Sequence, residues 1–225
     1  MLRIDFVKIK NKWSNFDNGY KCCDNKCINA DNPIDNCIEG NGFGNLLDDE
    51  NIKYVNCLKG CNKLVAICAE NTFKKPQNCL NYSLFYFEIK CKFERKYYGK
   101  FMNIGLQKCG KNKYIRYRAK YSMIKNEKNE EFKLLQTLPW NEDDIFGCGL
   151  VYPSTNKLNE VFPYVFFTQN GKQIGKAILV MESNDLYSPY VLLKCCSIEA
   201  NFGNDLENKP FKYDISEHLI CDEFY

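Results

Sequence analysis

An all-β fold, an antiparallel sandwich of two sheets, is what this sequence predicts, and three observations predict it. Short apolar runs with period-two alternation recur along the chain, turn signals separate them, and no sustained helical period is found. The clearest single stretch is FPYVFFTQNGKQIG, Phe162 to Gly175. Its two apolar runs flank Asn170-Gly171, a pair that favours a two-residue type I′ turn because both residues tolerate positive φ.

In chain order, Ile4 to Lys10 alternates and leads to Trp13 and Phe16, which reads as one lead-in strand packing its aromatics on the main body. Lys21 to Asn51 is rich in Asn, Asp, Gly and Cys and reads as loop. Its Gly40-Asn41-Gly42-Phe43-Gly44 run follows no predicted strand and opens no helix, so it reads as a turn and not a dinucleotide loop. Strand signal returns at Ile52 to Val55 and Lys63 to Ala69. It is strongest at Phe85, Phe87, Ile89, Cys91 and Phe93, an apolar face with Tyr86, Glu88, Lys90 and Lys92 opposite, the pattern of a half-buried strand. Met102 to Leu106, Tyr114 to Ile124, Ile145 to Val151, the two arms of the hairpin, Tyr190 to Lys194 and Cys196 to Asn201 complete the strands. Pro210 to Asp214 closes the body.

With 225 residues, 45% apolar and 15% aromatic, the chain can fill one sizeable core and is too apolar for disorder. The net charge of +3 does not resemble the footprint of a nucleic-acid binder. Charges interrupt the first residues before an apolar run of signal-peptide length develops, and no apolar stretch reaches transmembrane length. The expectation is therefore a cytoplasmic chain, with secretion as an effector left open. Fourteen cysteines without a secretory signal read mainly as reduced, small apolar side chains, as at Cys91 in an apolar strand face and Cys148 between two glycines.

Residue types and spacing raise several chemistries. Catalysis through histidine has one candidate, His218, expected at the surface. The acidic runs Asp48-Asp49-Glu50 and Glu142-Asp143-Asp144 lack the alternating oxygen ligands of a calcium loop and read as solvated. Cys23-x3-Cys27 and Cys57-x3-Cys61, with Cys22 and Cys37 nearby, form the most serious metal reading, a zinc-stabilised Cys-rich module. The expectation is nonetheless no metal and no cofactor. Cys195-Cys196 reads as an adjacent pair with one thiol inward and one outward. The sequon at Asn81 leads into a predicted strand and reads as chance. Tyr114 to Ile124, YIRYRAKYSMI, interleaves basic and aromatic residues, a pattern that can serve single-stranded nucleic acid but more often marks a solvated strand edge.

Six sequence words stand in one order: Tyr86-Phe87-Glu88, Ile104-Gly105-Leu106, Asp144 to Gly149, Val165 to Lys172, Tyr187 to Val191, and Ala200-Asn201-Phe202-Gly203 with Pro210-Phe211. In that order they resemble a SPRY (B30.2-type) domain, closest to the Ran-binding-protein type and to the expanded nematode SPRY families, some of which are secreted effectors. The resemblance is dense from about Leu84 to Asp214. It implies a bent, concanavalin-like jelly-roll sandwich that acts as a non-catalytic adaptor, binding a partner protein or peptide through loops at one edge. Two departures matter: Asp143-Asp144 replaces the usual glycine-aspartate pair, and Tyr114 to Met123 lacks the glycine and histidine of the Ran-binding type. No family binding position carries over. Ubiquitin-ligase members add a RING, B-box, coiled coil or SOCS-type box, which the short stretch after Asp214 is not expected to contain.

The expected organisation is one structural domain: 1–80 as N-terminal strands and Cys-rich loop, 81–215 as the core, and 216–225 as a tail. The candidate contact surface comprises the loops Lys108 to Lys113, Asn126 to Glu131 and Tyr152 to Glu160. Its side chains are Lys111, Tyr114, Arg116, Tyr117, Tyr121, Tyr152 and Asn156, since tyrosine and arginine are common binding anchors. No catalytic residue is expected. The alternative reading is a carbohydrate-binding or hydrolytic sandwich, an analogy of architecture that needs a cleft with two carboxylates about 5 to 10 Å apart.

Overall fold

The computed structural model describes residues 3–16, 42–56, 61–77, 79–94, 99–154, 162–180 and 186–225. The described residues form fifteen strands and two short 3₁₀ turns, at Ala119–Tyr121 and Ile215–Glu217. The strands are β1 (Ile4–Phe6), β2 (Trp13–Phe16), β3 (Phe43–Leu46), β4 (Asn51–Val55), β5 (Val65–Ala69), β6 (Tyr82–Phe93), β7 (Phe101–Lys108) and β8 (Lys113–Arg118). They continue as β9 (Met123–Lys125), β10 (Glu131–Lys133), β11 (Ile145–Tyr152), β12 (Tyr164–Gln169), β13 (Lys172–Leu179), β14 (Tyr187–Lys194) and β15 (Cys196–Asn201).

Two antiparallel sheets build the sandwich. The first runs β13-β12-β11-β6-β15-β4-β3, with β1 added in parallel alongside the start of β6. The second runs β10-β9-β8-β7-β14-β5-β2. The hairpin forms with the turn its sequence predicts: Asn170 and Gly171 take φ of 51° and 79° between β12 and β13. A Cβ on Gly171 would also stand 2.7 Å from the Lys212 carbonyl oxygen.

The main core lies between the sheets. Phe85, Phe87, Ile89 and Cys91 of β6 meet Ile104 and Leu106 of β7, Ile115 and Tyr117 of β8, and Val191 of β14. Fully burying a side chain of this kind contributes about 2 kcal/mol, so the alternation of β6 alone strongly fixes its register. Trp13 closes one side, its ring edge-on to Phe202 at 4.9 Å and its indole N–H donating to the Glu50 carbonyl at 3.1 Å.

Four expectations are corrected. The single lead-in strand is two strands in different sheets: β1 joins β6, and β2 joins β5. The expected loop contains β3, which pairs with β4, while its residues 17–41 lie outside the described residues. The strand β6 is buried on both faces, because residues 211–224 lie over its outer face and form a second cluster with Tyr82, Leu84, Tyr86 and Phe166. Glu88, expected in solvent, accepts from the Lys212 N–H at 2.8 Å, the Tyr213 N–H at 2.9 Å and the Tyr86 hydroxyl at 2.9 Å. Finally, Cys195 and Cys196 are both buried. Cys195 takes φ of 53°, which breaks the alternation where the chain passes from β14 in one sheet to β15 in the other.

Candidate binding face

The second sheet has an inner face given to the core and an outer face built in transverse rows. On β8, Ile115 and Tyr117 point inward, so Tyr114, Arg116 and Arg118 point outward. Strand register then sets their neighbours. The middle row reads Lys125, Arg116, Gly105, Tyr190 and Cys68 across β9, β8, β7, β14 and β5. One flanking row holds Tyr114, Gln107 and Ser188, and the other holds Arg118, Asn103 and Leu192.

Gly105 sits at the centre of the middle row, where a Cβ would meet the Ile115 carbonyl oxygen at 2.0 Å. With no side chain there, the Arg116 guanidinium reaches across β7 toward the Tyr190 side chain. The Arg116 guanidinium lies 5.4 Å from the Tyr114 ring, and the Tyr114 and Tyr190 rings are 4.7 Å apart. Burial lifts the Tyr190 phenol well above its ordinary pKa, with the Arg116 charge pulling the other way. A second stack continues the face: Arg118 sits 4.5 Å from the Tyr121 ring and 5.9 Å from the Phe101 ring.

Arg118 and Lys125 share the Glu131 carboxylate, at 3.1 Å and 3.3 Å. Arg116 has no carboxylate partner among the described residues, and its buried Nε has no hydrogen-bond partner among them either. Asn103, in the adjoining row and 1% exposed, likewise leaves Oδ1 without one.

The structure gathers part of the sequence-predicted set. Tyr114, Arg116 and Tyr121 lie on this face, Tyr121 at one end and 45% exposed. Lys111 sits at the opposite end, in the turn between β7 and β8. The 126–130 loop stands at that same end, where Arg116 pairs with Lys125 and Tyr187 hydrogen-bonds Glu127. Tyr117 and Tyr152 are corrections: each is 1% exposed and belongs to the core, because alternation turns them to the inner faces of β8 and β11. Burial pushes the Tyr117 phenol up to about 12. Lys108 is also buried, as the last residue of β7. Asn156 lies outside the described residues, as does most of the Tyr152 to Glu160 loop. Tyr190, Phe101 and Asn103 are the face residues that sequence reasoning missed. Their signal was the outward phase of β7 and β14, legible only once the register was known.

The acidic and histidine candidates have structural duties. His218 is buried rather than exposed: Tyr164 and Tyr213 hydroxyls contact its two ring nitrogens at 3.1 Å and 2.7 Å. Its ring stacks on Phe166 at 4.1 Å, and burial lowers its pKa to about 4. Asp144, expected in solvent, is buried and accepts from the Asn141 N–H and the Gln169 and Asn170 side chains. Glu88 and Glu199 line one cleft of about 280 Å³, but Glu88 is held by two backbone N–H groups and Glu199 by Lys209 at 2.9 Å. Cys22, Cys23, Cys27, Cys37 and Cys57 lie outside the described residues, and among those described no cluster of three or more metal-ligating side chains is found. No helix among them is long and apolar enough to cross a membrane.

Fold and face together describe a two-sheet antiparallel β-sandwich with an aromatic and arginine-bearing outer face. No family model matches the chain, and no curated protein matches it. Among solved structures, it is similar to the SPRY domain of human HERC1, at 13% identity, over 71% of this chain and 93% of that one, with a TM-score of 0.47. It is also similar to a Lotus tetragonolobus seed lectin, at 9% identity, over 61% of this chain and 81% of that one, with a TM-score of 0.33. A third is the lectin UEA-II complexed with galactose, at 8% identity, over 72% and 91%, with a TM-score of 0.36. Likenesses this distant leave the functional reading to the chain's own residues.

Proposed function

We propose that this chain is a non-catalytic protein-interaction module that binds a partner protein or peptide on the outer face of its second sheet. The observation that carries this reading is the cluster of Tyr114, Arg116, Arg118 and Tyr121 on one sheet face, with buried Tyr190 packed against Tyr114 in support. Tyrosine and arginine combine large contact area with directional hydrogen bonding, and they dominate binding hot spots. The six ordered sequence words support the same reading through their resemblance to SPRY domains. Buried His218, with both ring nitrogens engaged, is poorly placed for proton transfer to a substrate. Among the described residues Cys61, Cys91, Cys109, Cys148, Cys196 and Cys221 are free thiols, which suits a reducing compartment.

The test is a quantitative pull-down from native cell lysate with the intact chain and with a Tyr114→Ser, Tyr121→Ser double variant checked for native thermal unfolding. The expected result is a partner held by the intact chain and lost by the folded variant. The same partner set on both would refute this placement of the surface.

A further inference from the structure

We infer that the partner segment recognised by this face is acidic, with Arg116 receiving one of its carboxylates. This rests on the interaction-module reading and adds the chemistry of the partner. From Lys113 to Lys125 the chain has five basic residues and no acid. Two of the five, Arg118 and Lys125, share Glu131, whose single negative charge offsets one of them. Arg116, which points outward on β8, and Lys120 beside Tyr121 have no carboxylate partner among the described residues. The face thus presents uncompensated positive charge around a central arginine.

Arg116 is the focus for a physical reason. Its guanidinium is half-buried and held in place by the Tyr114 ring and the Tyr190 side chain, so little rotamer entropy remains to be lost on binding. Its Nε is shielded from solvent, so a bound segment meets the guanidinium at its terminal nitrogens. A carboxylate there makes a charge-assisted contact, stronger than a neutral hydrogen bond.

A single-stranded nucleic acid is the other anion that a basic, aromatic face suggests. Stacking of successive bases needs exposed rings. Here Tyr190 is 3% exposed and Tyr114 packs against it, so the rings support Arg116 and are not free platforms. The observations therefore favour the polypeptide.

The experiment selects a displayed random-peptide library on the immobilised full chain, and in parallel on Arg116→Gln, Arg116→Lys and Lys176→Gln. Lys176 lies on β13 in the other sheet, where it pairs with Glu223 at 3.2 Å. The expected result is that the chain and Lys176→Gln enrich peptides rich in Asp and Glu. The best synthetic peptide should then bind at least about tenfold more weakly to Arg116→Gln, with Arg116→Lys between, and weaken steeply with salt. Thermal unfolding confirms that each variant is folded, and Arg116→Lys serves if Arg116→Gln is not. Neutral or basic pools lost on Tyr114→Ser would overturn the acidic assignment while leaving the binding face in place. An acidic pool unchanged by both Arg116 variants would overturn it as well. A dT15 oligonucleotide binding as tightly, with the same Arg116 dependence, would overturn it in favour of nucleic acid. If the intact chain enriches no peptide, the module reading falls together with it.

Discussion

Replacing Glu88 by alanine tests how the C-terminal segment is fastened over the first sheet. The carboxylate is buried and accepts from the Lys212 and Tyr213 backbone N–H groups and from the Tyr86 hydroxyl. The Tyr86 hydroxyl keeps a second partner, Thr168, at 2.7 Å, but the two backbone donors lose the acceptor shown for them. A buried donor left unsatisfied costs about 1–3 kcal/mol, so the pair costs about 2–6 kcal/mol. Relief of the desolvation that raises the Glu88 pKa offsets part of this, which places the expected loss near 3 kcal/mol. Glu88→Gln keeps one acceptor oxygen and should lose about half as much. Urea unfolding gives the free energies, and hydrogen exchange reads whether the 205–225 segment opens first. A loss below about 1 kcal/mol for Glu88→Ala, or unchanged exchange in that segment, would refute the fastening argument.

Three further outcomes follow from the same packing. His218, lowered by burial to about 4 from the ordinary 6.5, contributes stability that is complete above about pH 6.5 and is lost as pH falls toward 4, by up to about 3 kcal/mol. Tyr164 and Tyr213 contact its ring, and Cys221 and Asp214 act on those tyrosines. Asp214, held low by the Ser216 hydroxyl and N–H, titrates beneath that window, whereas Glu88, raised by burial, changes stability in the opposite direction. Urea titrations of Glu88→Gln with and without His218→Phe therefore isolate the His218 slope, and an unchanged slope would refute it. Gly105→Ala, whose Cβ meets backbone at 2.0 Å, should cost more than about 2 kcal/mol in urea unfolding and weaken partner binding. With a thiol reagent under native conditions, Cys61 should label first. Cys91, Cys148 and Cys196 should wait for unfolding, since they are fully buried and burial raises the Cys148 thiol further. Rapid native labelling of Cys148 would contradict its position in the core.

The sequence by itself determined the fold class, most strands and the hairpin. The alternation of Phe85, Phe87, Ile89 and Cys91 can satisfy only a sheet with one face in a core, and Asn170-Gly171 suits only a tight turn with positive φ at both residues. It also flagged YIRYRAKYSMI, from which Tyr114, Arg116 and Tyr121 came to the face. Tertiary structure alone decided what covers the second side of each strand, because local periodicity records a side chain's phase and not its neighbour. Tyr86 and Glu88 read as solvent-facing until the C-terminal segment lay over them, and His218 read as exposed until two tyrosines and Phe166 enclosed it. Tyr117 and Tyr152 matched the binding pattern by residue type, yet their phase sends them into the core. Tyr190 and Asn103 reached the face through register with β7 and β8, pairings between segments distant in sequence, set by the backbone hydrogen bonds of the folded sheet.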